Sequence, residues 1–572
     1  MATFEQRRAS YVSSNSNEMN TLALLLQAYS KEKLNPVLID KCMKDYNANK
    51  IAKKDNDFNL IMMLRLLYLS SLNNMSETET LYSLMNTNFK DQKFWLTKNE
   101  QEQCFWSENH MICYLSSWFL WLQYSKQTDK QCNDLLITYL TAKTKYLFYE
   151  CFSQVYNMYT LSALLNLYDF SKNAQIKDLA KSCIDILVEQ FLQIITLNGS
   201  IYCASGRTYN RCKISSDGNN CNKLMYLLTG LNGEKTISTI GAFFSTTSYV
   251  PTQDYSRYHS KYDKTIKISH DEKDFDTIYK NLSFVDKTVF QWSAGNYFNS
   301  ENIADTVKLM DNYNLWSHKH FKLDPYATIL KIVPKDVLTY SSNTVESFTG
   351  GSPLCDINYH IYNNNYFTLT SMENYKKGKL GAQQLPWIAN VGGISVFTQS
   401  GKISTIGDLH EVIGNSHLPY VKQEKNVLMA MYNPDDLIRY SKIQANLDLT
   451  VYLNWTGFDN EERMVNNKWF FGEKITNNTS VFIAVYSTDG ICDNEDKTIT
   501  NSAALQGWIV IISDSFDYKD FRTFKESVLK QMKISFKEIK SKNTISKILS
   551  LDTYYCGNLE FNDISMEMKW KL

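Results

Sequence analysis

The sequence predicts an α+β multidomain protein with helices first and antiparallel strands afterwards. Three observations carry that prediction. Apolar residues recur at helical spacing through the first third of the chain. From about residue 326 onward, short β-rich runs alternate with Gly, Asn and Asp turns. At 572 residues the chain is also too long for one ordinary domain.

In chain order, Leu22, Leu25, Leu26 and Tyr29 fall on one helix face, and so do Leu60, Met63, Leu64 and Leu67. Further helices are expected at about 76–88, 101–125, 130–149, 154–171 and 174–196, with Asp129 and Ser171 as N-caps. Some eight helices before residue 198 with short polar connections read as stacked hairpins, in a solenoid or a closed toroid. No self-similarity at 34 or 40 residues supports a regular repeat array. The pattern breaks at Asn198-Gly199-Ser200. A helix at about 220–230, the apolar run from Thr239 to Phe244 and a helix at about 301–315 follow. Strands are then expected at 327–333, 359–362, 366–370, 394–398, 426–432, 481–486 and 508–512, with a late helix at about 518–533. These elements suggest a helical domain over 1–230, a mixed connection over 231–325 and a β domain over 326–572.

Lys plus Arg and Asp plus Glu both number 60. A net charge of zero argues against a nucleic-acid or anionic-membrane partner, which needs a cationic surplus. Residues 1–20 lack the apolar core of a signal peptide, and no apolar stretch is long enough to span a bilayer. The expectation is a cytoplasmic protein with reduced thiols, with export by another route left open and an oligomer possible. Cys203, Cys212 and Cys221 recur every nine residues, a spacing that matches no zinc pattern, so no metal is expected. No Gly-x-Ser-x-Gly, P-loop, Gly-x-Gly-x-x-Gly or His-Glu-x-x-His motif occurs, and no cofactor is expected.

Three stretches are too particular for generic core. One is Phe105-Trp106-Ser107-Glu108-Asn109-His110, which leads into a helix carrying Trp118 and Trp121. The second runs from Gly199 through Gly206-Arg207-Thr208-Tyr209 to Arg211. The third runs from Leu369 to Tyr375, through Gln384-Leu385-Pro386-Trp387 and Val396-Phe397-Thr398, to Gly414-Asn415 and Lys425-Asn426-Val427-Leu428. In this order they resemble an uncharacterised family related to the heparinase II/III and alginate-lyase class of polysaccharide lyases. The resemblance covers roughly residues 95–530. It implies an N-terminal incomplete (α/α) toroid followed by a C-terminal antiparallel β-sandwich, with an acidic, uronate-containing polysaccharide or oligosaccharide handled in the cleft between them.

Lyases of this class work by β-elimination. A base removes the proton beside the uronate carboxyl, and an acid protonates the departing glycosidic oxygen. By the resemblance, Asn109 neutralises the carboxylate and His110 is clamp or base. Tyr209 is base and acid, with Arg207 beside it lowering its pKa or gripping substrate. Trp106, Glu108, Arg211, Trp387 and His417 complete the expected substrate contacts. The same residues have plainer readings. Asn109 and His110 suit a helix start, Glu108 a first helical turn, and Arg207 and Tyr209 a loop anchor, while the Trp and Tyr surplus suits a core.

The chain also departs from the family pattern. Relatives carry a His just before the Trp of the third motif, where this chain has Leu385-Pro386. They carry a His-Pro-Gly where it has Gln399-Ser400-Gly401, and another His near Thr456-Gly457-Phe458. His417 is the one nearby substitute. The rival expectation is therefore an inactive structural or glycan-binding protein that keeps the fold. A component of a virus or protist particle is a further version, resting on the Asn-, Lys- and Tyr-rich composition.

Overall fold

The structure is a computed structural model. It describes residues 2–52, 54–215, 221–231, 235–251, 262–268, 277–295, 297, 300, 302–321, 325, 327–345, 356–375, 384–400, 418–432, 450–455, 457–493, 499–501, 506–531, 533–542 and 553–571. Helices and antiparallel sheets segregate as the α+β class requires. The chain divides into two compact units that exchange segments along the sequence. One comprises Met1–Phe191, Asn220–Tyr255 and Ile268–Cys355; the other comprises Leu192–Asn219, Ser256–Lys267 and Asp356–Leu572.

The first unit is helical. Its long helices are α1 (Phe4–Asn15), α2 (Ala23–Ser30), α3 (Pro36–Ile51), α4 (Asp57–Leu72), α5 (Thr78–Phe89), α6 (Glu108–Tyr124), α7 (Lys130–Tyr146), α8 (Tyr156–Phe170) and α9 (Ala174–Leu192). Two kinds of sequence alternate. In α4 an unbroken run from Leu60 to Ser70 is buried, and α6 and α8 are buried on nearly every face. By contrast, α3 buries only Leu38, Cys42, Met43 and Tyr46, a single stripe. A helix apolar all round must be surrounded by others. Accordingly α2 packs on α4, α4 on α6 and α6 on α8, while the single-striped α3 and α5 lie against α4. Past the short α10 (Asn210–Ile214) of the other unit come α11 (Cys221–Thr229) and α12 (Thr239–Ser245), and α12 packs on both α8 and α2.

Arg65, fully buried in the middle of α4, pins this arrangement. Its guanidinium donates to Thr246 Oγ1 at 2.8 Å, to Asn166 Oδ1 at 3.0 Å and to Asp169 Oδ2 at 2.9 Å, so it ties α4 to α8 and to the end of α12. Removing one partner of such a buried pair typically costs about 3–5 kcal/mol, because the other charge is left in an apolar interior.

Two local expectations are corrected. The run 327–333 is β-branched in part but forms the helix Ala327–Ile332, which packs on the helix Ile303–Asn312. It buries none of its side chains, so nothing selects the extended form over the local helical one. Ser171 ends α8 rather than starting α9; Asn173 supplies the cap, its Oδ1 accepting from Ile176 N at 3.3 Å. Asp129 does cap α7, accepting from Cys132 N at 3.0 Å.

The second unit is built on antiparallel strands. An eight-stranded sheet runs β1 (Tyr262–Ile268), β2 (Ile357–Asn363), β3 (Phe367–Glu373), β4 (Trp387–Val391), β5 (Ile394–Ser400), then β8 (Val451–Trp455), β13 (Ile499–Asn501) and β12 (Cys492–Asp493). A six-stranded sheet runs β6 (Tyr420–Glu424), β7 (Val427–Tyr432), β14 (Gln506–Asp514), β11 (Thr479–Ser487), β10 (Trp469–Thr476) and β9 (Asn460–Val465). Tight turns set the registers. Asn477 and Asn478, at φ +48° and +61°, close the β10–β11 hairpin, and Gly392-Gly393, at φ +60° and +101°, close β4–β5.

The two sheets share one core, with Leu369, Trp387 and Val396 from one and Leu428, Phe470 and Trp508 from the other. The other face of the six-stranded sheet is covered by the helix Phe521–Gln531 through Phe524, and by Leu559 and Met566 of a third, three-stranded sheet. The segment before α10 joins this unit by pairing Ser205 with Leu385, while Ala204 N donates to Thr370 Oγ1 at 2.8 Å.

Candidate functional site

Within the helical unit, polar groups gather where α4 and α6 begin. Both helices open on a carboxylate, Asp57 and Glu108, and in neither does the N-cap side chain make the capping bond. The unsatisfied N–H groups and dipole of a helix start stabilise negative charge there. Yet both carboxylates are wholly buried, so each has needed a cation.

Asp57 has His110. Its Oδ2 lies 2.8 Å from His110 Nδ1, which fixes the ring and leaves Nε2 to act. Burial alone would lower the imidazole pKa. The charge and hydrogen bond of Asp57, with Asp55 and Glu150 behind them, more than offset this and lift it to about 9. Burial likewise pushes the Asp57 carboxyl up, against the pull of His110. His110 keeps 12% of its side-chain surface exposed, which makes it the one member of Trp106-Ser107-Glu108-Asn109-His110 that is not buried. Its ring lies 5.2 Å from that of Phe58, which stacks at 3.9 Å on Tyr159.

Glu108 has Lys143 of α7, 3.4 Å away, and also accepts from Glu150 N at 2.9 Å. Burial pushes Glu108 up and Lys143 down, each toward neutrality, and their mutual attraction opposes this. The ammonium sits 3.7 Å over the Tyr149 ring. Asn109 is fully buried; its Oδ1 accepts from Ser107 Oγ at 2.6 Å and its Nδ2 has no partner. Exchanging the amide's N and O would still leave one end unpaired.

Other expected contacts are overturned by burial. Trp106 is 1% exposed, packed edge-on against Trp292 at 5.1 Å and beside His318 at 4.8 Å, so it is core rather than a sugar platform. Trp387 has no exposed surface, lies in the core shared by the two sheets and donates to Thr398 Oγ1 at 3.0 Å. Glu108 cannot touch a substrate while it is buried against Lys143. Asn109 has no exposed surface either, so a ligand reaches its amide only if the head of α6 opens.

Arg207, Tyr209 and Arg211 belong to the sheet unit. Tyr209 precedes α10 and is half-buried, with the Arg211 guanidinium 4.9 Å over its ring. Arg207 is also half-buried, and its carbonyl accepts from Ser205 Oγ at 2.8 Å, as in a loop anchor. Two residues beyond Arg211, Lys213 is buried and donates to Gln399 Oε1 at 2.9 Å; burial lowers its pKa to about 8. His417 lies outside the described residues.

Sequence reasoning missed Asp55, Asp57, Lys143 and Glu150. The signal for Asp57 was available: like Glu108, it is an acidic residue opening a helix that is apolar all round. Lys143 gave none, since a Lys near the end of an amphipathic helix reads as solvated. Among the described residues, no cluster of three or more His, Cys, Asp or Glu could hold a metal ion, and no helix is long and apolar enough to cross a membrane. The sequence matches no family model and no curated protein.

Proposed function

We propose that this chain is a polysaccharide-lyase-like protein that handles an acidic, uronate-containing glycan, with His110 on Asp57 as its proton-donating side chain. The carrying observation is the 2.8 Å Nδ1–Asp57 tether together with a pKa lifted to about 9. An imidazolium held in one orientation by Asp57, with its remaining proton on Nε2, suits a general acid better than a base. In the elimination, a base takes the proton beside the carboxyl, a carbon–carbon double bond forms and the glycosidic C–O bond breaks. The departing oxygen then takes the His110 proton. Tyr209 is the candidate for the base, on the strength of the motif resemblance.

Two features of the fold support the reading. The neighbour sequence α2–α4–α6–α8–α12 returns to α2, a ring of helices of the (α/α) kind that is closed where the resemblance implies an incomplete one, and the core shared by two antiparallel sheets suits a sandwich. Incubation with alginate-, heparan- and pectin-type glycans, followed by absorbance of the unsaturated uronate, tests the proposal. A Tyr209→Phe protein as fast as wild type would remove Tyr209 from the mechanism. A second reading, an inactive glycan-binding or structural protein, is favoured by one observation. Leu385-Pro386 stands where the resemblance implies a His before Trp387, and Leu385 there is buried and pairs its backbone with Ser205.

A further inference from the structure

We propose that Thr265, His360 and Glu373 form a nucleophile–base–carboxylate site that takes the acyl group of an activated ester onto the Thr265 hydroxyl. The site lies wholly within the sheet unit, goes beyond the glycan reading and does not rest on it.

The three side chains come from three successive strands of the eight-stranded sheet, β1, β2 and β3. Thr265 Oγ1 lies 2.9 Å from His360 Nδ1. On the far side of the ring, Nε2 is closed off from solvent and faces Glu373 Oε2 at 3.3 Å. Glu373 is held in its turn, since its Oε1 accepts from Gln423 N of β6 at 2.7 Å. The carboxylate draws the imidazole proton to Nε2, which leaves the Nδ1 lone pair for the threonine O–H. Hydroxyl, base and orienting carboxylate therefore stand in the order that nucleophilic catalysis needs. The 3.3 Å contact is longer than in an assembled triad, and such bonds tighten when substrate binds.

Access decides which hydroxyl reacts. Ser371 stands opposite His360 across the β2–β3 ladder but has no exposed surface. Thr265 is exposed on β1, the outer strand of its sheet. Lys267, two residues along β1, points to the same face as Thr265. Its ammonium pairs with Asp356 at 3.2 Å, a solvent-exposed contact of the weak kind, and can turn to a carbonyl oxygen that becomes negative.

In the first half of the reaction the Thr265 Oγ–acyl bond forms and the ester C–O bond breaks. The Thr265 proton passes to His360 Nδ1 and on to the departing oxygen. Water then adds to the acyl-threonine and gives a proton to Nδ1. The acid leaves as Thr265 Oγ takes that proton back.

The test is reaction of the full chain with p-nitrophenyl acetate. Nitrophenolate absorbance gives the rate, and peptide mass spectrometry after an acid quench locates the acetyl group. Wild type should carry acetyl on Thr265, and Thr265→Val should remove that label. His360→Gln should slow its formation by about 100-fold or more. Glu373 is a positioning residue, so its role is read from the ring as well. In Glu373→Gln the Gln423 N–H claims the amide oxygen and turns the amino group toward Nε2, which moves the ring proton to Nδ1. The nitrogen resonances of the His360 ring should report that exchange, while labelling falls by about 100-fold or more. None of the three side chains is buried, so the variants should keep the wild-type melting curve. Acetyl found on lysines alone, a Thr265 label that His360→Gln forms as fast as wild type, or a Glu373→Gln protein that exchanges the tautomer without losing rate overturns the proposal.

Discussion

His110 and Glu108 are two residues apart in sequence, yet they meet burial by different means. His110 draws its charge from a carboxylate one helix away, whereas Glu108 shares a buried pair with Lys143. For the first, Asp57→Asn should lower the His110 pKa from about 9 by at least about one unit, read from its ring resonances against pH. For the second, Lys143→Met leaves a buried carboxylate without its cation and should cost about 3–5 kcal/mol in denaturant unfolding. The double change Glu108→Gln with Lys143→Met should recover most of that loss; an equal loss in the double variant would refute the pairing. At this scale the sequence was half legible. Asn109-His110 stood out as a polar pair in an apolar context. Their partners did not, because Asp57 and Lys143 lie 53 and 33 residues away from His110 on other helices, and no spacing rule links them.

Among the elements, apolar period marked α4, α6 and α8, which must bury every face, but not α1 or α3, and α3 buries only a single stripe. It failed where burial does not choose the structure, as in Ala327–Ile332, whose side chains all keep contact with solvent. Caps show the same division. Asp129→Ala should destabilise by about 1 kcal/mol, since its carboxylate accepts from Cys132 N. Ser171→Ala should cost less than Asn173→Ala, since Asn173 holds the α9 start. Thermal unfolding of the three variants checks the order, and a larger loss at Ser171 would contradict it. The α12 backbone also has no room to spare: a Cβ on Gly241 would fall 2.1 Å from Tyr11 Oη. Gly241→Ala should therefore cost about 1–3 kcal/mol.

Across the molecule, two histidines of the helical unit set opposite edges of a stability window. His318, buried beside Trp106, has its pKa lowered to about 4 by burial, with His320 and Lys319 adding to the effect. The unfolded chain then binds the extra proton, so stability falls as pH drops from 6.5 toward 4. His110 is shifted the other way. Its contribution is complete below 6.5 and is lost as pH rises through about 9. Stability should peak near neutrality, with His318→Gln flattening the acid limb and Asp57→Asn the alkaline one. The fold class was legible across the whole chain because helical and strand periods are segregated in it. The membership of 192–219 in the sheet unit was not, since it rests on one backbone bridge and scattered hydrogen bonds to strands far along the sequence. The central claim, a lyase-like chemistry with His110 as acid, meets its most direct test in the rate of unsaturated-uronate absorbance on acidic glycans, wild type against His110→Ala. Wild type should give a rise on at least one glycan, and the variant a loss of about 100-fold or more. A flat wild-type trace across alginate, heparan and pectin types, or equal rates for the two proteins, would contradict it.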